Sequence, residues 1–425
     1  MKLAIAVFLL AATHGAVAQL RLPPLPQLPN LPLPSQVTQP LRREVAPVVD
    51  LVRQRQHRIA DMLRERSAYL EADPAGQPVV RSELVLSSPS AALLSAARAQ
   101  GFTVVRERRL PELDLDVVTL RAPAGWDTPR ALQRLRELDP QAAADFNHLY
   151  LESGAVETPA TVAAQGSSAP RVSAPAGSAR LGLIDGGVET SHPVLRDADI
   201  TAWGCGSRKI PSAHGTAVAS LLVGRGPRFR GAAPGAALYA ADVYCNDPIG
   251  GSIEAVAAAL AWLLSERVAV VNISLVGPAN RTLEQVVRRA TSKGMLLVAA
   301  VGNDGPAAAP LYPAAYPEVV AVTGVDGRGQ VLPEACRGPH VAFAAPGSDM
   351  AVASLGAQPY AGARGTSFAA PLVAGLLAAS MRTPEVAVAA LVREARDGGA
   401  PGRDAVYGHG VVGRELRIDP AMVRK

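Results

Sequence analysis

The sequence predicts an α/β fold: a parallel sheet covered by helices on both faces, preceded by a smaller α+β unit. Three observations carry this reading. The runs LGLI, ALYAADV, VAVVNIS, MLLVAAV and EVVAVT are apolar without alternation, which marks strands buried on both faces. They are separated by helical stretches at Ala213 to Val223, Ile253 to Leu264 and Leu283 to Ser292, the alternation of a sheet with helical crossovers. Upstream, residues 79–151 run strand, helix, strand, strand, helix, strand, the order of a split ferredoxin-like unit. A chain of 425 residues, 48% apolar, is long enough for two such units and their tails.

In chain order, residues 1–18 read as an export signal: Lys2, an apolar run from Leu3 to Ala12, then AVA before Gln19. That run is too short to span a bilayer, no later stretch is long and charge-free enough, and no cysteine follows it to accept a lipid. The expected location is periplasmic or secreted, with no transmembrane segment after signal removal. Residues 19–40 carry proline every two or three positions and are expected to be an extended spacer. Residues 41–72 place Val45, Val48, Val52, Ile59, Leu63 and Leu70 at helical spacing among Arg and Glu, a solvated helical segment leaning on the next unit.

The small unit, 79–151, is expected to use the strands SELVLS, FTVVRERRL, LDVVTLRA and DFNHLYL, with helices at Ala91 to Gln100 and Thr128 to Leu138. The Ala-, Ser-, Pro- and Gly-rich stretch 152–179 cannot bury enough surface to order itself and reads as an exposed linker open to proteolysis. The large unit then spans 180–416, leaving 417–425 as a tail.

Composition narrows the function. The net charge of +5 comes from 42 basic against 37 acidic residues, and no basic run is interleaved with aromatics, so a nucleic-acid partner is not expected. GRGPRFRG, around Arg225 to Arg230, reads as a solvated loop. No P-loop, HExxH or CxxC motif is present, so nucleotide and zinc chemistry have no support. Cys205, Cys245 and Cys336 allow one disulfide and one free thiol in an oxidising compartment, with the pairing open.

In parallel sheets, sites form at the carboxyl ends of strands. Asp185 follows LGLI there, Asn272 and Ser274 close VAVVNIS, and Asn303 follows MLLVAAV. In GTSFAAP, Ser367 stands directly before an apolar run with Pro371 near its start, where proline is tolerated. Its oxygen would lie beside the positive end of a helix. His214 opens another apolar helix in HGTAVAS. Taken singly, each has a plain structural reading: Ser367 as an N-cap, Asp185 as a turn residue, His214 as a structural histidine with His192 as its competitor. Together they form an ordered set, Asp, His, Ser, separated by 29 and 153 residues.

From Arg180 to about Leu416 these motifs resemble the subtilisin-like serine peptidases, with SHPVL, GAAPGAALYA, NISLVGP, AAVGNDGP, YPAAYPEVVAVTGVD and YGHGVV filling in the framework. The resemblance implies a subtilisin-like three-layer fold and a serine endopeptidase acting on polypeptide substrates without a cofactor. Ser367 would be the nucleophile, His214 the general base and Asp185 its orienting carboxylate, with Asn303 as oxyanion donor. Ser274, Leu275, Val276 and Leu311 would line the substrate. Residues 79–151 look like the family's inhibitory, fold-assisting prodomain, an intramolecular partner that would make the chain a zymogen.

Departures from the family pattern matter too. HPVL puts Val194 where the family has a calcium-ligating Asp, and GRGPRFRG offers no carboxylate, so no metal is expected at that site. Gly186 replaces a hydroxyl residue beside Asp185. Val276 and Leu311 stand where glycine is common, which should fill the specificity pocket and favour a small residue such as Ala over Phe or Leu on the acyl side of the cut bond (P1). The runner-up is a catalytically silent domain of this fold that serves as a binding module.

Overall fold

The computed structural model describes residue 53 and residues 55–157 and 179–423. The expected signal (1–18), the spacer (19–40) and most of the linker lie outside the described residues.

The described chain opens with helix α1, residues 55–65, whose Ile59 is buried and whose Met62 and Leu63 pack with Leu70, Val80, Leu149 and Leu151. The helical expectation for 41–72 fails at its end. After a turn, Leu70–Ala72 is a strand, β1, paired antiparallel with β2 (Pro78–Ser87), so strand pairing rather than a helix face buries Leu70. Its apolar spacing is compatible with either; the free edge of β2 decides.

There follow α2 (Ala91–Ala99), β3 (Thr103–Leu110), β4 (Leu115–Arg121), α3 (Thr128–Leu138) and β5 (Ala143–His148). Ser90 caps α2 by accepting the Leu93 N–H at 3.1 Å, and Asp127 caps α3 by accepting that of Arg130 at 2.7 Å. The sheet order is β5-β2-β4-β3, all antiparallel. One face packs Leu84, Leu86, Val118 and Leu120 under the two helices. The other turns Val85, Leu115 and Val117 towards the large unit.

Two short strands, β6 (Leu151–Glu152) and β7 (Ala155–Glu157), lead to the large unit. Its elements are β8 (Arg180–Asp185), β9 (Ile200–Trp203), α4 (Ala213–Val223), β10 (Arg225–Gly226), β11 (Phe229–Arg230), β12 (Ala237–Asp242) and α5 (Ile253–Ser265). Next come β13 (Val270–Ile273), β14 (Leu275–Val276), α6 (Arg281–Ser292), β15 (Leu296–Ala300), β16 (Val319–Val325) and β17 (Val341–Pro346). The set closes with β18 (Met350–Ala353), β19 (Tyr360–Arg364), α7 (Thr366–Ala379), α8 (Pro384–Glu394) and a last short helix, α9 (Pro420–Val423).

Seven parallel strands form the main sheet in the order β17-β16-β15-β13-β8-β12-β9. Side chains alternate across it: Leu296, Val298 and Ala300 face the layer of α4 and α7, while Leu297 and Ala299 face α5 and α6. This is the three-layer α/β architecture. The connection reverses between β8 and β13, which sets a switch point at the end of β8.

Two further expectations are corrected. GRGPRFRG keeps Arg225 and Arg228 exposed, but it is ordered as the β10–β11 hairpin, and Phe229 is buried and stacked on Tyr360. Residues 417–423 are not a free tail. The Ala351 N–H donates to the Ile418 carbonyl at 2.7 Å, and Ile418 and Val423 pack against the core. The pairing left open by the sequence is Cys205–Cys245, with Cys336 a buried free thiol. No single described helix is long and apolar enough to cross a membrane.

Candidate active site

Asp185 is the last residue of β8, and its Oδ1 accepts the Gly186 N–H at 2.7 Å. His214 is the second residue of α4, whose N-cap, Ser212, accepts the Gly215 N–H at 2.8 Å and fixes where the helix starts. Ser367 is the second residue of α7. These three local structures converge. His214 Nδ1 lies 2.9 and 3.0 Å from the two Asp185 carboxylate oxygens, and its Nε2 lies 3.0 Å from Ser367 Oγ. With Nδ1–H donating to the carboxylate, Nε2 is left as the acceptor for the serine hydroxyl. Asp185 and Ser367 are wholly buried and His214 nearly so. Burial by itself would lower the His214 pKa; the Asp185 charge and hydrogen bond, with Glu152, outweigh it and push it up to about 9. His192 stands apart, its ring nitrogen 2.7 Å from the Pro359 carbonyl oxygen.

Asn303 is oriented by the backbone. Its Oδ1 accepts the Thr366 N–H at 3.0 Å, so its Nδ2 points into the cleft, where it donates to Ser153 Oγ at 2.9 Å. The first N–H groups of α7 lack intrahelical acceptors, and that of Ser367 lies beside its own hydroxyl. Ser274 presents backbone rather than side chain to the cleft: its hydroxyl donates to the Ser367 carbonyl at 3.0 Å and accepts from Asn272 at 2.9 Å. Leu275 and Val276 form β14, both buried, and Leu311 packs against Gly302 beside Asn303.

The cleft is filled by the chain itself, which corrects the expected linker at its start. Residues 152–157 are held as strand rather than free chain, with Ser153 buried and Glu152, Gly154 and Val156 partly buried. β6 pairs antiparallel with β14, Glu152 opposite Leu275 and Leu151 opposite Val276, and β7 pairs antiparallel with β19, Ala155 opposite Arg364. Just upstream, Tyr150 is anchored by its N–H to the Gly251 carbonyl (2.8 Å) and its hydroxyl to that of Pro278 (2.5 Å). A composition poor in apolar side chains says nothing about backbone bonds to edges supplied from elsewhere in the chain. Continuing the β6 register by one residue sets Ser153 opposite Ser274. Gly154, at φ 145°, then lies against the nucleophile, and a Cβ there would overlap Ser367 Oγ. The sequence reading missed Glu152, Ser153 and Gly154; a pair of small residues following the last strand of the small unit was the available signal.

Comparisons with known proteins bear on the family and the fold. The family model described as Peptidase_S8, subtilase family, matches residues 177–410. The minor extracellular protease Epr of Bacillus subtilis (strain 168) is 33% identical over 243 residues, 55% of this chain and 37% of Epr. The subtilisin of Bacillus pumilus is 31% identical over 245 residues, 55% of this chain and 88% of that protein. Among solved structures, fervidolysin from Fervidobacterium pennivorans, described as a keratinolytic enzyme related to subtilisin, superposes with a TM-score of 0.68 at 20% identity. That match covers 82% of this chain and 63% of fervidolysin. The chain thus spans less than two thirds of the length of Epr and of fervidolysin, and the likeness to fervidolysin concerns the fold.

Proposed function

Since the chain belongs to the subtilase family, we propose that it is an exported serine endopeptidase made as a zymogen, whose first substrate is its own Ser153–Gly154 bond. The single observation that carries this reading is the strand that crosses the cleft. It pairs with β14 on one side of Ser367 and with β19 on the other, the way an extended substrate is held on both sides of the bond to be cut.

In the proposed reaction, Ser367 Oγ attacks the Ser153 carbonyl carbon while its proton passes to His214 Nε2. Asp185 holds the imidazole in the required tautomer and stabilises the imidazolium. The carbonyl oxygen becomes an oxyanion, met by the Asn303 side-chain N–H and the Ser367 backbone N–H. Collapse breaks the C–N bond, and His214 returns the proton to the departing Gly154 amine. Water, deprotonated by His214, then hydrolyses the ester and frees Ser367.

The small unit is the inhibitor in this reading. Its last strand continues into the cleft, and its sheet rests on α5 and α6. Val276 and Leu311 are buried, and by the resemblance they line the P1 pocket; in the proposed cut the P1 residue is Ser153. Both favour small P1 residues. Residues 1–18 would export the precursor before it acts.

A serine-directed fluorophosphonate probe tests the reading. Labelling of the processed protein, lost in Ser367→Ala, is expected; an inert processed protein would make the fold a silent binding module.

A further inference from the structure

One side chain in the cleft has no part in that reaction. Glu152 precedes Ser153, and one of its carboxylate oxygens, one of Asp185's and a ring nitrogen of His214 all lie within 4.8 Å of one another. Gly186 makes the room: a Cβ there would stand 3.2 Å from Glu152 Oε1 and collide with the Ser212 hydroxyl. The charged and titratable groups around Glu152 come from several elements. Asp185 ends β8, His214 opens α4, and Asp242 ends β12, with Tyr244 just beyond it. Across a groove of about 330 Å³, α1 and the turn that follows it bring Arg55, Arg58 and Arg66, and the facing loop brings Asp247. Arg55 is already paired with Asp304 at 3.2 Å. Asp185 and Asp242 oppose another negative charge, whereas the imidazole, within 4.8 Å, can compensate it.

Resting on the peptidase reading above, we propose that Glu152 is an electrostatic brake on self-cleavage: while the leading strand fills the cleft, its carboxylate holds a proton on His214 and keeps the base in its unreactive form. Burial raises Glu152 to about 7, the His214 charge pulling it down and Asp185 and Asp242 adding to the rise, while His214, against its burial, stands at about 9, raised mainly by Asp185 and further by Glu152. Between those values the pair is carboxylate and imidazolium. Only neutral imidazole can accept the Ser367 proton, so the reactive fraction is small near neutral pH and rises with pH. Once the bond is cut and the strand departs, Glu152 leaves with it and His214 titrates lower. The first cut is therefore slower at neutral pH than later turnover.

Glu152→Gln keeps the shape and removes the charge. In the Ser367→Ala precursor, where the strand stays whole, an NMR titration of the His214 ring reads its proton affinity without any activity. Adding Glu152→Gln should lower the His214 pKa; an unchanged titration overturns the brake. In the active precursor, single-turnover self-cleavage followed by intact mass should be about tenfold faster in Glu152→Gln near neutral pH for each unit by which His214 falls. The two rates should converge in alkali. Equal rates at all pH values, or a slower Gln variant, overturn the proposal. A precursor that never cuts itself defeats the peptidase reading instead, and the His214 titration still decides the brake.

Discussion

The two helical faces of the large unit are built from opposite materials. Where α4 and α7 meet the sheet, contact is apolar and small: Phe368, Ala369, Ala370, Leu372, Val373 and Ala374 are wholly buried against strand residues such as Val298 and Val322. Where α5 and α6 meet the small unit, apolar contacts around Leu113 and Val117 are ringed by charge. Glu254, at the start of α5, receives Arg106 Nε at 2.6 Å, Arg108 Nε at 2.7 Å and the Thr119 hydroxyl at 3.1 Å. Asp145 accepts the first N–H of α6, that of Arg281, at 2.9 Å, and Ser87 donates to Gln285 at 2.7 Å. Parting the first face exposes apolar surface with nothing to replace the contacts. Parting the second also exposes the apolar patch around Leu113 and Val117, but much of what it frees is charged or polar and can be satisfied by water. The contrast fits the zymogen proposed above, in which the first joint persists and the second is released.

If the first face carries the chemistry and the second only holds the small unit, substitutions should sort by readout. The largest effect is expected at His214→Ala, a loss on the order of 10⁶-fold in turnover with the small unit bound as before, a magnitude taken from subtilisin itself. Asn303→Ala should cost on the order of 10²- to 10³-fold, again a subtilisin value, measured as kcat on a short peptide. Ser153→Phe should slow self-cleavage by roughly 10- to 200-fold through misfit with Val276 and Leu311, without changing turnover of the mature enzyme. An accelerated cut would break the small-P1 reading.

On the second face, Arg106→Ala should weaken binding of the cut small unit by about tenfold and leave peptide turnover alone. The loss is modest because Arg106 is about a third exposed and screened by water. A turnover defect there would undo the comparison.

The smallest effect is one of pH. Burial raises the Glu254 pKa, but the hydrogen bonds of Arg108 and Arg106 outweigh it and hold the carboxyl below 4.5 in the complex. Separation returns it towards that value. Its contribution is therefore full above about 4.5 and lost as pH falls through the lowered value. Release of the small unit should be a few-fold faster at acid pH than at neutral pH, and Glu254→Gln should flatten that dependence.

The motifs were legible because each states its own position. Asp185 ends a strand, His214 and Ser367 open helices, and Asn303 follows a strand end, so local pattern and chemistry coincide. The parallel sheet was legible for a similar reason, since its strands are apolar on both faces. The leading strand was not. Residues 152–157 have the same texture as the linker after them, and their order comes from Leu275–Val276 and Tyr360–Arg364, far along the chain. Leu70 and Ile418 were misread alike, since a partner edge or groove fixes them and their neighbours in sequence do not. Nothing in the sequence singled out Arg106, Arg108 and Glu254, because only folding sets them face to face.

The most direct test of the central claim is intact mass and N-terminal sequencing of the full chain incubated alone, beside Ser367→Ala. A new N-terminus at Gly154 in the unaltered protein, absent from the variant, is the result expected. Both proteins remaining whole, or both cut at the same position, would contradict self-cleavage by Ser367.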